Sequence, residues 1–433
     1  MLKKITFILI VLSIVLLILR RQPEPKTSPS PIPLDQIYKG VSYEPVNPDE
    51  FSVDLLSDHL ISPTRIRLLP DQNHLLISQL TGEIIAFKRT GKDTWARQID
   101  PVVNIPTHFP GFPPDEGGLT GITISADFDK NHTIFLSYSF KDKGGKTLNR
   151  ISSSVLKDRE GKLIGANPRL IYEANIDGAP SHQIQEAISV KINGAPHLIF
   201  PIGEGFKGER AQDPSLEAGK IILIKETGEN PDGQHPFANP KIAALGIRNA
   251  FTLAQNSYDP LKRILIADTG PDHFDRLIYT TLYSQTSDTQ KPLNFLWDGK
   301  EDTLKNPVPD PNHRDVKDSV IFRLPETRTF TGLIFHPGGK KGIPISNSDS
   351  QSLIATIFGK TGWPDPSPGK EIWLGRLTNT NSQPKISFSP IIRRTKKATG
   401  KLGNPIGLEL DAQNGNFFFA DVLEGRLYLV KPK

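Results

Sequence analysis

The chain has 433 residues, 36% of them hydrophobic, with 35 glycines, 38 prolines and no cysteine. That balance suits a turn-rich β protein with a sizeable core, and it excludes disulfides, thiolate metal sites, cysteine nucleophiles and lipidation at cysteine. The formal net charge is +5, but Lys3, Lys4, Arg20 and Arg21 carry four of those charges, leaving 48 basic residues against 47 acidic ones, so the folded part makes no electrostatic case for nucleic acid as a partner.

Residues 5–19, ITFILIVLSIVLLIL, are an unbroken apolar run of fifteen. At about 1.5 Å per residue the run reaches roughly 22 Å, enough with snorkelling Lys and Arg flanks for a signal h-region or a short anchor. It ends in Arg20-Arg21 with no small-x-small cleavage site, so residues 1–21 are expected to form an uncleaved N-terminal transmembrane helix. Residues 22–33, QPEPKTSPSPIP, read as an extended proline-rich spacer. Residues 34–59 complete a linker and transitional stretch that can lend a strand to close the fold.

From about residue 60 to residue 433 one unit recurs: an apolar strand, a turn rich in Asp, Asn, Gly or Lys, a second β-branched or aromatic strand, and often a third ending in a basic residue. TRIRLLPDQNHLLISQLTGEIIAFKR displays it, and comparable starts lie near Arg67, Ile122, Ile188, Leu253, Leu333 and Leu408. A repeat of this length suits a four-stranded blade with loop insertions, and six of them predict an all-β, six-bladed β-propeller. No sustained helical period follows residue 21, which disfavours a TIM barrel or a Rossmann fold. Insertions at 108–118, 207–219, 284–314 and 359–370 are expected on one face, around a pocket mouth.

Within that frame, residues 182–271 place chemistry where strand-like runs meet turns. His182 opens SHQIQEAISV, Glu204 closes HLIFPIGEG, Arg248 and Asn249 lie in ALGIRNAFTL, and Gly270 and Pro271 end RILIADTGPDHFD. A neutral imidazole is suited to take a proton near pH 7, and a nearby carboxylate can orient it. A fixed guanidinium can stabilise developing negative charge. P-loop, GxGxxG-helix, HExxH and GxSxG patterns are absent.

The order of these segments, with EGGLTGITISADFDKNHTIFLSYSF before them and NFLWDG and NPIGLELDAQNGNFFFADVLEGRLYLV after them, resembles the glucose/sorbosone dehydrogenase family. Its members are β-propeller enzymes that use pyrroloquinoline quinone (PQQ) and calcium. The resemblance implies that His182 is the catalytic base, that Glu204 stands where the family usually has Asp, and that Arg248 and Asn249 contact the quinone. It further implies that the carbonyls of Gly270 and Pro271 ligate calcium, with Asp272 and Asp275 as possible additions, and that Lys360 matches a lysine facing the cofactor's carboxylates. The expected substrate is a sugar, and the expected electron acceptor a membrane quinone or small redox carrier, on the extracytoplasmic side of the membrane.

Two departures from the family pattern stand out. Gln185-Glu186-Ala187 replaces a Gly-Arg or Gly-Gly-Arg step, and NPIGLEL lacks the arginine of the penultimate strand. Both favour the alternative of a non-catalytic, surface-anchored propeller that binds a glycan or a protein. A calcium-dependent hydrolase would need carboxylates converging on the metal from several blades, which these motifs do not assemble.

Overall fold

The computed structural model describes residues 37–109, 116–176, 181–233, 235–282, 292–305, 313, 319–359, 369–379, 383–398 and 400–433. Residues 1–36, with the expected transmembrane helix, and Lys360 lie outside the described residues. Among the described residues no helix is long and apolar enough to cross a membrane.

Six sheets, antiparallel but for a short parallel pair between Ile242–Leu245 and Leu293–Asn294, follow one another along the chain. Their first strands are Pro63–Leu68, Leu119–Ile124, Ile188–Ile192, Ala250–Gln255, Phe330–His336 and Pro405–Asp411, and these contain the six unit starts expected from the sequence. Each first strand touches the first strand of the next sheet, and the sixth touches the first. That closed cycle around a central channel defines a six-bladed β-propeller, with the sheets as blades one to six.

Alternation along the second strands shows why these sequences stack as blades. Ile134 and Leu136 pack toward blade one while Phe135, between them, packs toward blade three. In the same way Leu198 and Phe200 face blade two and Ile199 faces blade four. A strand buried on both faces reads as a continuous apolar run, and its period of two divides that run between two inter-blade cores.

Closure uses both ends of the described chain. Phe51–Ser57 pairs antiparallel with Arg426–Pro432, so blade six is three C-terminal strands completed by one from the stretch read as transitional. Tyr43–Pro45 adds to the edge of blade five through Pro384–Arg394. Across the last seam, Phe418 of blade six meets Trp95 of blade one edge to face at 5.5 Å. Each closing contact pairs or covers an edge that would otherwise be left open.

Candidate active site

The segments singled out in the sequence converge on one face because each lies just before a first strand or just after a second one. His182 precedes the bridge that joins Ile184 to Ile202, and Glu204 follows the strand Ala195–Ile202. Arg248 and Asn249 lead into Ala250–Gln255, and Gly270 and Pro271 follow Ile264–Asp268. His182, Arg248, Asn249, Gly270 and Pro271 all line one cavity of about 480 Å³. Glu204 stands behind the histidine, 3% exposed.

His182 and Glu204 are in contact. Nδ1 of His182 lies 2.6 Å from Oε2 of Glu204, with both side chains 4% exposed. With Nδ1 donating to the carboxylate, proton uptake falls to Nε2. The backbone supports this pairing: His182 has φ +57, and a Cβ on Gly203 would stand 2.5 Å from the His182 carbonyl oxygen. Only glycine leaves room there for the two segments to pass. From this position Glu204 reaches the imidazole directly.

Several participants were not identified from the sequence. Glu116 lines the cavity and accepts from the His182 backbone N–H and from Asn249 Nδ2, each at 3.2 Å. Asp268 accepts from the backbone N–H groups of Arg248 and Asn249, at 3.1 and 2.9 Å, and from Arg276 Nε and Nη2. Arg276 also donates to the carbonyls of Gly246 and Phe295. This buried ion pair sets the backbone from which Arg248 reaches the cavity. The Arg248 side chain donates to the Thr269 carbonyl at 3.1 Å and lies 5.8 Å from the centroid of the Trp297 ring. Phe206, 58% exposed, stacks on the His182 ring at 4.0 Å and 27°.

Asp275, named with Asp272 as a possible addition to the calcium ligands, is buried and hydrogen-bonded to backbone. Its Oδ1 accepts from Gly270 N–H and its Oδ2 from the N–H groups of Arg328 and Thr329, so it joins the Gly270 turn to the start of blade five. Burial raises its pKa, opposed by those backbone N–H groups. The departure at Gln185-Glu186-Ala187 is also structured. Glu186 is 3% exposed; its Oε2 lies 3.0 Å from Arg65 Nε and its Oε1 meets Arg67, which also pairs with Glu409 at 3.1 Å. In blade six, Asn404 and Ile406 of NPIGLEL line the cavity.

The sequence pattern of the Glucose / Sorbosone dehydrogenase family matches residues 60–281. Aldose sugar dehydrogenase YliI of Escherichia coli (strain K12) is 27% identical over 241 residues, which cover 53% of this chain. The match spans 59% of that relative's length. The fold is shared with the soluble aldose sugar dehydrogenase of Escherichia coli in its apo form, at TM-score 0.62 and 18% identity over 88% of this chain and all of that one. It is likewise shared with the PQQ-bound aldose sugar dehydrogenase of Streptomyces coelicolor, at TM-score 0.61 and 17% identity over 89% of this chain and 99% of that one.

Proposed function

We propose, from the premise that the chain belongs to the glucose/sorbosone dehydrogenase family, that it is a PQQ- and calcium-dependent sugar dehydrogenase. It would oxidise a sugar hydroxyl, or the hydrate of a sugar aldehyde, by hydride transfer to the quinone. The observation that carries this reading is the buried His182–Glu204 pair at the wall of a cavity that also collects Arg248, Asn249, Gly270 and Pro271.

The residues present fit the cofactor. About 480 Å³ is a volume typical of ligand pockets, and the lining includes two guanidinium groups, Arg65 and Arg248. Among the described residues, buried polar atoms of lining residues that include Asn249 Oδ1 and Gln185 Nε2 have no hydrogen-bond partner, and a polar ligand would satisfy them. PQQ, when bound, supplies the hydride acceptor, and calcium a Lewis acid for its carbonyl. Arg248 and Asn249 would hold the quinone oxygens, and the Gly270 and Pro271 carbonyls are hard oxygen donors of the kind calcium takes. Lys360 would serve as a further cation for the cofactor.

The chemistry left to the chain is proton movement. His182 takes the substrate hydroxyl proton at Nε2, and the imidazolium so formed is stabilised through Nδ1 by Glu204. Arg248 would stabilise the negative charge that develops on the hydride acceptor when it is reduced. Residues 1–21 would hold the propeller at the extracytoplasmic face of a membrane, where a membrane quinone or small redox carrier would remove the electrons.

Detergent-solubilised protein, stripped with chelator, should bind PQQ in a calcium-dependent way, and an aldose should then bleach the quinone absorbance. His182→Ala should retain PQQ binding and lose turnover. Full calcium- and PQQ-dependent activity in His182→Ala would refute the assignment of the base. No binding at micromolar PQQ would leave the non-catalytic, glycan- or protein-binding propeller as the better account.

A further inference from the structure

Below the base, the cavity meets groups that hydride transfer does not use. Arg65 is 1% exposed and belongs to the first strand of blade one, yet its Nη2 donates at 2.6 Å to the carbonyl of Phe251 in blade four. Its side chain therefore crosses the central channel and lies among the residues that line the cavity. Nη1 donates to the Thr64 carbonyl at 3.1 Å, and Nε faces Glu186 at 3.0 Å. A guanidinium has five N–H groups, so among the described residues these three partners leave two uncommitted.

Next to Glu186 in sequence, Gln185 also lines the cavity, is 2% exposed, and has an Nε2 with no hydrogen-bond partner among the described residues. A buried donor without a partner costs stability unless a ligand completes it. The two residues offer spare guanidinium N–H groups and an unpartnered amide NH₂, with the Gln185 Oε1 acceptor beside them. Their natural complement is a carboxylate, which accepts at two oxygens.

We propose that Arg65 and Gln185 form a carboxylate-binding subsite at the base of the cavity, and that its ligand is a carboxylate of the quinone cofactor. This rests on the reading given under Proposed function. The subsite arises from the two departures taken together. The segment after His182 supplies Gln185 as a donor and Glu186 as the group that holds Arg65 across the channel. With no arginine in the blade-six strand, one carboxylate of the cofactor is left to be recognised from blades one and three, beside Arg248 at the entry to blade four. Glu186 is itself shared with Arg67, which pairs with Glu409, so Arg65 is not fully neutralised by a private counter-ion.

The test compares PQQ with its trimethyl ester, which keeps the ring and removes the negative charges, by absorbance titration of the full-length holoprotein after chelation and reloading with calcium. The unaltered protein should bind the acid tighter than the ester. Gln185→Glu, which sets a like charge against the ligand, should weaken PQQ roughly ten- to hundredfold and leave the ester within about threefold. Arg65→Lys, which keeps the charge but loses the fork, should weaken PQQ about tenfold. Gln185→Leu should weaken PQQ while leaving the thermal midpoint of the cofactor-free protein unchanged or higher, because the replaced Nε2 has no partner to lose.

Equal binding of acid and ester by the unaltered protein, or undiminished PQQ affinity in Gln185→Glu, overturns the subsite and leaves the dehydrogenase reading intact. No PQQ binding by the unaltered protein overturns both. A preference for glucuronate over glucose that Gln185→Glu abolishes, at unchanged PQQ affinity, assigns the carboxylate to the sugar and overturns the assignment to the cofactor.

Discussion

At the scale of the residue, the proposed base, His182, has three neighbours that act in different ways. Glu204 fixes the tautomer through a 2.6 Å contact, Gly203 leaves space for the His182 backbone, and Phe206 closes one face of the ring. Glu204→Gln keeps the shape but removes the charge that stabilises an imidazolium, so kcat should fall on the order of 100-fold or more with little change in KM. A KM effect without loss of kcat would refute that role. Gly203→Ala should also impair turnover, because the added Cβ would stand 2.5 Å from the His182 carbonyl oxygen and the histidine must shift; shifts of about 1 Å in a reacting group are costly. The candidates His182, Glu204, Arg248, Asn249, Gly270 and Pro271 could be named in advance because the order of their segments resembles the glucose/sorbosone dehydrogenase family; that each lies at a turn bordering an apolar run would not have sufficed. Glu116, Asp268, Arg276 and Phe206 could not, since an acid in a loop or an arginine in a strand has no local signature of its partner.

At the scale of the element, Phe51–Ser57 is the strand on which closure depends. It pairs along its length with Arg426–Pro432, and Phe51 and Val53 join the core between blades five and six. A fragment beginning at residue 37 retains this strand, whereas one beginning at residue 59 leaves a C-terminal strand as an open edge over an uncovered core. The shorter fragment should unfold at a markedly lower temperature and aggregate, as read by thermal denaturation with light scattering. Equal thermal midpoints would mean that three strands suffice for blade six. The existence of a closing strand was legible in outline, but its partner was not: its first paired residues, Phe51 and Pro432, stand at opposite ends of the described chain.

At the scale of the whole molecule, the channel is crossed by charge. Arg65 and Arg67 of blade one, Glu186 at the entry to blade three and Glu409 of blade six form a connected group with little solvent access. Burial pushes the Glu409 carboxyl up to about 7; Arg67 opposes the shift and Glu186 adds to it. The sign follows from linkage. A carboxyl raised in the folded state binds more protons than its unfolded counterpart between about 4.5 and 7, so its contribution to stability falls as pH rises through that window. Glu409→Gln should therefore flatten the fall in thermal midpoint between pH 4.5 and 7, and an unchanged pH dependence would show that the group is not the source.

What the sequence determined by itself was local and periodic: the strand runs, their repetition six times, and the turn positions at which His182, Arg248 and Gly270 stand. Those features follow from apolar alternation and turn chemistry, which act over a few residues. The tertiary structure decided the pairings that the ring of blades creates. It set Arg65 against Phe251, 186 positions away, and Asn249 against Glu116, 133 positions away. It also converted Gln185 and Glu186, departures from the family pattern when read along the chain, into a donor at the cavity wall and a buried counter-ion. A propeller brings its first strands to a common axis, so charges that are unrelated in sequence share one desolvated space, and only the closed ring determines which of them meet.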